Sequence, residues 1–222
     1  MGNQIKNRTT NVGIKAVADV VFCFDCTYSM NDCIKNVKDN VNSFVASLNT
    51  GQGPNIDWRM RAVGYGDLEE GEDIQNENDF VSDVSAFQAQ VAGLEMCGGG
   101  DEPESTLDAI IVAAKTSKWR KSNKVIVVFT DAPTKGIHST TTKTFAINTL
   151  DELKKILSQE KIILLLWGPS DTNYENLKAI PKAVITVLSD PHSEYKSGSN
   201  MVKLLEMMGK TVSVSIVSSE VL

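Results

Sequence analysis

The chain has 222 residues, a length that suits a single α/β domain. Hydrophobic residues make up 41% of it and charged residues 23%, which is ordinary for a globular protein. The net charge is −6 and basic residues do not cluster, so a nucleic-acid partner is not expected. No apolar run approaches the ~20 residues that a membrane helix needs, so a membrane partner is not expected either.

The first half of the chain alternates between strand-like and helix-like patterns. In order, it predicts an apolar strand at 17–24, a helix at 30–48, a strand at 56–66, an acidic loop at 67–78, a short strand at 79–81 and a helix at 84–94. The polar segment before them, residues 1–14, has no apolar core. We interpret it as an N-terminal tail rather than a signal peptide, and we expect a cytoplasmic location.

The second half continues the alternation. In order, it predicts a helix at 107–114 preceded by Pro103, a strand at 124–130, a Thr-rich loop at 134–144, a helix at 147–157, a strand at 162–167, a short helix at 174–180, a strand at 183–188 and a helix from 201. The segment beyond Gly209 fits either period, and we expect a helix. The alternation predicts one domain, residues 15–222, with a Rossmann-like, doubly wound, mostly parallel sheet and helices on both faces.

Acidic residues follow two of the predicted strands. The first apolar run, VVFCF, ends on Asp25, and the run VIVVFT ends on Asp131. Ligands bind outside the carboxyl ends of strands in such sheets, and the two aspartates are neighbours if the chain crosses over between them. The intervening loop CGGGDEPES adds Asp101, Glu102 and Glu104. Carboxylates that gather in this way repel one another, and a divalent cation relieves the repulsion.

Two hydroxyl residues, Thr27 and Ser29, follow Asp25 at every second position. The chain can aim all three side chains at one point as it leaves the strand. A set of oxygen ligands without histidine predicts Mg²⁺ (or Mn²⁺ or Ca²⁺) rather than zinc. Taken alone, Asp25 or Ser29 could instead cap the following helix. The presence of Asp131 and of the acidic loop favours the metal.

The three motifs in this order, DxTxS, GGGDxPES and VVFTDAP, resemble those of von Willebrand factor A domains, in particular stand-alone bacterial members. The signature of that family is a metal-ion-dependent adhesion site. The resemblance covers roughly Val17 to the last helix. It implies a six-stranded sheet with a short antiparallel edge strand near Phe80.

The resemblance also implies a set of ligands. The first metal loop would supply Asp25, Thr27 and Ser29, and the third would supply Asp131. The second loop usually supplies a threonine, which GGGDEPES lacks at that point. Its D-x-P-E order is similar to that of integrin β I-like domains, where the glutamate approaches the metal. Glu104 and Asp101 therefore both remain candidates, and a single metal ion is expected.

The function that follows from the resemblance is metal-dependent protein recognition without catalysis. A glutamate or aspartate of a partner protein would complete the coordination of the cation, in an intracellular assembly or regulatory role. The alternative is a Mg²⁺-dependent phosphohydrolase on a similar sheet. Haloacid-dehalogenase-like phosphatases begin with a DxD motif after the first strand, and this chain has Thr27 in place of the second aspartate.

Overall fold

The structure, a computed structural model, describes residues 16–49, 56–98 and 102–220, the last four of them as backbone only. The predicted tail at 1–14 and the candidate ligand Asp101 lie outside these residues. The strands are β1 (Val17–Asp25), β2 (Asp57–Tyr65), β3 (Asn123–Phe129), β4 (Ile163–Gly168) and β5 (Ala183–Val187). They form one parallel sheet in the order β2-β1-β3-β4-β5.

Helices cover both faces of this sheet. They are α1 (Asn31–Leu48), α2 (Val84–Ala92), α3 (Thr106–Thr116), α4 (Ser139–Phe145), α5 (Leu150–Gln159), α6 (Thr172–Leu177), α7 (Pro191–Lys196) and α8 (Gly198–Glu220). Two single 3₁₀ turns, Tyr28–Met30 and Leu68–Glu70, follow β1 and β2. None of the helices in the described part of the chain is both long enough and apolar enough to cross a membrane.

The strand β1 lies inside the sheet and is buried from Ala18 to Asp25. Its side chains alternate between two hydrophobic cores, as the period of a strand requires. Phe22 and Phe24 contribute to the core under α1, α2, α7 and α8. Cys23 contributes to the core under α3, α5 and α6. The continuous apolar run in the sequence therefore reflects burial on both faces, as expected for a parallel sheet.

The order of the strands places the carboxyl ends of β1 and β3 side by side. After β1 the chain passes through α1 to β2 on one side, and it later returns to β3 on the other side of β1. Asp25 is the last residue of β1, and Asp131 follows β3 by two residues. The predicted crossover is confirmed, and the two acidic positions lie at the point where the winding of the sheet reverses.

The described residues correct three details. The sheet has five strands there rather than six, and the expected antiparallel edge strand near Phe80 is reduced to two isolated antiparallel bridges, Met60 with Val81 and Gly64 with Gln75. The Thr-rich loop at 134–144 contains α4, which begins at Ser139. Residues Pro191–Lys196, to which the sequence patterns assigned no element, form the short helix α7. The C-terminal segment is helical, as expected.

The missing edge strand has a local cause. The backbone N–H of Ala62 on β2 donates to Oε1 of Gln90 at 3.0 Å, and its carbonyl accepts from Nδ2 of Asn78 at 3.0 Å. Two amide side chains thus occupy the hydrogen-bonding positions that a neighbouring strand would use. The segment between the two bridges, residues 76–80, contains two Asn, one Glu and one Asp, residue types that are depleted in strands.

Candidate metal centre

Asp25 organises the loop that follows β1. It is fully buried. Its Oδ1 accepts hydrogen bonds from the backbone N–H of Thr27 at 3.0 Å and from the hydroxyl of Thr27 at 2.7 Å. Such a bond from an aspartate to the backbone two residues on is a common turn-forming contact. It fixes the path of the chain into the 3₁₀ turn at Tyr28–Met30 and then into α1.

The two hydroxyls of this loop lie close together and differ in exposure. Oγ1 of Thr27 is 3.1 Å from Oγ of Ser29. Thr27 is buried, whereas Ser29 is exposed. Mg²⁺ binds oxygen at 2.0–2.1 Å in an octahedron, so neighbouring ligands of that ion lie about 3.0 Å apart. The hydroxyl pair therefore fits one edge of such an octahedron, and the Ser29 side of the edge faces solvent.

The loop after β3 approaches Asp25 from the neighbouring strand. The hydroxyl of Thr130 is 2.9 Å from Oδ2 of Asp25, and it accepts from the backbone N–H of Ala132 at 3.1 Å. Both oxygens of Asp25 are thus held by hydroxyl donors. Asp131 is partly exposed. Burial is the main cause of the raised pKa of Asp25, and the negative charge of Asp131 raises it further.

Glu104, in the loop before α3, is the second buried acid at this edge. Its backbone N–H donates to the carbonyl of Pro133 at 2.9 Å, and its carbonyl accepts from the N–H of Lys135 at 2.8 Å. A short parallel ladder therefore joins this loop to the one after β3. Glu104 is only 2% exposed, and its Oε2 has no hydrogen-bond partner among the described residues. Glu102, in the same loop, is exposed.

Both buried acids resist ionisation. Burial raises the pKa of Asp25 to about 6, against the hydrogen bonds from Thr27, and the charge of Asp131 adds to the increase. Burial raises the pKa of Glu104 to about 8, with further contributions from the charges of Asp25 and Asp67. A buried carboxylate without a counter-charge is costly, and a cation held by the residues at this edge of the sheet would offset that cost. The donors present therefore fit a hard divalent ion.

Polar contacts below the site join the surrounding elements. The hydroxyl of Thr106, at the start of α3, lies 3.1 Å from the hydroxyl of Tyr65 and 2.9 Å from that of Tyr174. The hydroxyl of Tyr174 is also 3.0 Å from the carbonyl of Ala132. These three side chains are buried. They connect β2, α3, α6 and the loop after β3 without contributing a charge.

The structure thus brings together most of the residues predicted from the sequence. Asp25, Thr27 and Ser29 form one cluster, and Glu104 and Asp131 lie on loops at the same edge of the sheet. Within residues 16–49, 56–98 and 102–216, no three His, Cys, Asp or Glu side chains are grouped to hold a metal ion. The candidate centre relies instead on the hydroxyls of Thr27 and Ser29, with two buried carboxylates, Asp25 and Glu104, and the partly exposed Asp131 on loops at the same edge.

Sequence reasoning did not identify three polar residues of this region. Thr130 bonds to Asp25, and Lys135 pairs with Asp67 close to Glu104. Thr130 could have been found, because it lies next to Asp131 at the end of an apolar run. The pairing of Lys135 with Asp67 links residues 68 positions apart, and no local pattern in the sequence indicates it.

Comparison with protein families agrees with this architecture. Residues 19–156 match the family described as the von Willebrand factor A domain, and the chain belongs to that family. The predicted membership of the von Willebrand factor A family and the predicted parallel α/β fold are thereby confirmed.

Among solved structures, the chain is similar to proximal thread matrix protein 1 from the mussel byssus, known in two crystal forms. For the first form the TM-score is 0.60 at 16% identity, and for the second it is 0.58 at 15%. The alignments cover 90% and 88% of this chain but 47% and 46% of the mussel protein. The chain thus spans about half the length of that protein, and at this identity the likeness shows the fold alone. A search of the curated proteins found no match.

Proposed function

We propose that this chain is a metal-dependent protein-binding module that recognises an acidic residue of a partner protein. One observation carries the proposal. A fully buried aspartate at the switch point of the sheet is held only by hydroxyl and amide donors, and a second hydroxyl lies 3.1 Å from the first. No described lysine, arginine or histidine contacts Asp25. The cluster has the donors for a hard cation and lacks an internal one.

The residues have different tasks in this proposal. Thr27 and Ser29 would hold the ion with neutral oxygens, while Asp25 orients the hydroxyl of Thr27 through their 2.7 Å hydrogen bond. Glu104 would be the second-loop ligand, because its free oxygen is buried, and Asp131 would act from the third loop. A divalent ion held mainly by neutral ligands keeps positive charge, and that charge attracts a carboxylate of the partner.

The surface around the hydroxyls is suited to a protein partner. Tyr28 lies between Thr27 and Ser29 in the sequence, and 68% of its surface is exposed. Aromatic side chains are enriched at protein interfaces, because they bury a large apolar area and keep a polar group. We propose that Tyr28 packs against an apolar residue that neighbours the partner's acid.

We also propose an intracellular role in assembly or regulation. Cys23, Cys26 and Cys33 are free and buried, and Cys97 is free and partly buried. Free thiols of this kind are typical of proteins from reducing compartments.

The decisive experiment combines ion binding with partner capture. Immobilised protein would be exposed to an extract of the source organism in Mg²⁺ and in EDTA, and Mn²⁺ binding would be followed by electron paramagnetic resonance. We expect a partner that is retained in Mg²⁺ and released by EDTA, and we expect the Asp25→Ala variant to lose both ion and partner. Asp39→Ala is the matched control, because Asp39 is a half-exposed aspartate of α1 that, among the described residues, pairs with Lys35 alone.

Two results would contradict the proposal. The first is wild-type protein that takes up neither Mg²⁺ nor Mn²⁺. The second is Mg²⁺-dependent hydrolysis of p-nitrophenyl phosphate that disappears in Asp25→Ala, since that would favour the phosphohydrolase.

A further inference from the structure

A second group of acidic side chains lies beside the candidate metal centre, and it already contains a positive charge. Nζ of Lys135 is 2.5 Å from Oδ2 of Asp67 and 3.1 Å from Oε2 of Glu69. The side chain of Asp67 is fully buried, and that of Lys135 is 11% exposed. The contact with Asp67 is therefore a desolvated ion pair, and removing one partner would leave an uncompensated buried charge.

A backbone hydrogen bond joins Lys135 directly to Glu104. The N–H of Lys135 donates to the carbonyl of Glu104 at 2.8 Å. The N–H of Leu68 donates to Oγ of Ser105 at 3.0 Å, which attaches the loop of Asp67 to the same segment. Lys135 thus lies where the loops after β2, before α3 and after β3 meet.

The charge of Lys135 acts on Glu104 as well as on its own partners. The free oxygen of Glu104 is buried, and the charges of Asp25, Asp67 and Glu72 all disfavour its ionisation. Lys135 opposes them. An ammonium at this point does for the surrounding carboxylates what a metal ion would do.

We propose that Lys135 takes the place of a second divalent cation and limits the centre to one exchangeable ion. Calcium binds oxygen at 2.3–2.6 Å, so Nζ lies where a hard cation bound to Asp67 would lie. The inference rests on the proposed function and adds the number of ions that the centre takes. An ammonium carried by the chain cannot be exchanged or removed by a chelator. Partner binding should therefore follow the concentration of divalent cation with a single hyperbolic phase.

The test removes the ammonium and counts the bound ions. Lys135→Met keeps a long apolar side chain and leaves Asp67 and Glu69 without their cation. Equilibrium dialysis with Ca²⁺ and with Mn²⁺ should give one more ion per chain in this variant than in the wild type. Its melting temperature should also rise more steeply with Ca²⁺. The matched control is the double variant Lys135→Met with Asp67→Asn, which removes both charges and should return to the wild-type count.

The measured quantity is the difference in bound ions per chain between Lys135→Met and the wild type. The proposed function depends on the wild-type count alone, so the two can fail separately. If the wild type binds no ion and Lys135→Met binds one, the proposed centre is wrong and the role of Lys135 is supported. Equal counts and equal responses to Ca²⁺ overturn the inference. A Lys135→Met protein that unfolds in EDTA and refolds in Ca²⁺ supports it. One that stays unfolded in Ca²⁺ overturns it, because a dication then fails to replace the ammonium.

Discussion

Two aspartates of β1, Asp19 near its start and Asp25 at its end, are equally buried and have opposite surroundings. Asp19 accepts two hydrogen bonds of 2.8 Å from the guanidinium of Arg59, and another of 2.8 Å from Nε of Arg120. Within the described residues, Asp25 accepts hydrogen bonds only from hydroxyl and amide groups. The fold thus supplies Asp19 with two cations, and no described cation contacts Asp25.

The pKa values of the two groups reflect this difference. Burial alone would raise the pKa of Asp19, but the hydrogen bonds from Arg59 and Arg120 outweigh it, and the pKa lies below the ordinary value. Burial dominates at Asp25, where the pKa is raised to about 6. A buried acid that the fold neutralises supports the structure. One that the fold leaves without a cation indicates a ligand that comes from outside.

The largest effect on ion binding is expected from Asp25→Asn, which replaces the carboxylate with a neutral side chain of the same shape. Ion binding should fall at least a hundredfold in a Mn²⁺ titration. In EDTA at pH 8 the same variant should be about 2–3 kcal/mol more stable than the wild type, because it lacks a buried negative charge that no described cation balances. Urea unfolding measures this change. A metal-free variant that is less stable than the wild type would show that Asp25 serves the fold and not a ligand.

The substitution Asp19→Asn should have the opposite result: it should lower the stability of the fold and leave ion binding unchanged. The substitution leaves the guanidinium groups of Arg59 and Arg120 without their counter-ion, and we expect a loss of about 3 kcal/mol in the free energy of unfolding. Affinity for Mn²⁺ should remain that of the wild type, since Asp19 lies at the other end of β1. Weaker ion binding in a folded Asp19→Asn protein would contradict the separation of the two ends.

The last comparison between the two ends of β1 uses pH. The pKa values of Asp25 and Glu104 are raised from 3.8 and 4.5 to about 6 and about 8, so the folded state binds these protons more tightly than the unfolded state. This tighter proton binding adds to the free energy of unfolding. The contribution is fully present below about pH 4 and is lost as the pH rises through 6 and 8. The pKa of Asp19 is lowered, so its contribution is present above pH 3.8 and is lost as the pH falls through its folded value.

Urea unfolding in EDTA at pH 5, 6.5 and 8 should therefore show decreasing stability. Saturating Mg²⁺ should remove the decrease, because the ion binds the deprotonated acids. If the free energy of unfolding falls with pH as steeply in Mg²⁺ as in EDTA, the ion does not bind at the candidate centre.

The positions of the acidic loops could be predicted because they depend on strong local signals. VVFCF and VIVVFT are apolar runs long enough for strands buried on both faces, and in each case an aspartate follows. The loop with Glu104 precedes a helix marked by Pro103. In a parallel sheet these facts place all three loops at one edge, and the pairing of β1 with β3 confirms that placement.

The details that the sequence did not predict depend on contacts between distant segments. Whether the 79–81 segment forms a strand is decided by Asn78 and Gln90, which bond to the edge of β2. The helix α4 begins in a Thr-rich stretch of low helix propensity, where Asp108 accepts a hydrogen bond of 2.9 Å from the N–H of His138. The spacing in GGGDEPES leaves Asp101 and Glu104 equivalent as candidates; the structure buries Glu104, and Asp101 lies outside the described residues.

The glycine at position 66 is another detail that depends on contacts between separate segments and that the sequence did not predict. A Cβ atom there would lie 2.0 Å from Oε2 of Glu72 and 2.5 Å from Sγ of Cys97. Any larger residue would therefore require the side chains of Glu72 and Cys97 to shift. In the sequence, Gly66 is merely the residue that precedes an acidic loop.

The ladder between Glu104 and residues 133–135 has a thermodynamic consequence. Because its two hydrogen bonds, of 2.9 and 2.8 Å, connect the loops directly, a displacement of one loop is carried to the other. On the proposed function, an ion and a partner would each favour the same joint position of these loops. Linkage then requires reciprocity: the factor by which the ion strengthens the partner's affinity equals the factor by which the partner strengthens retention of the ion.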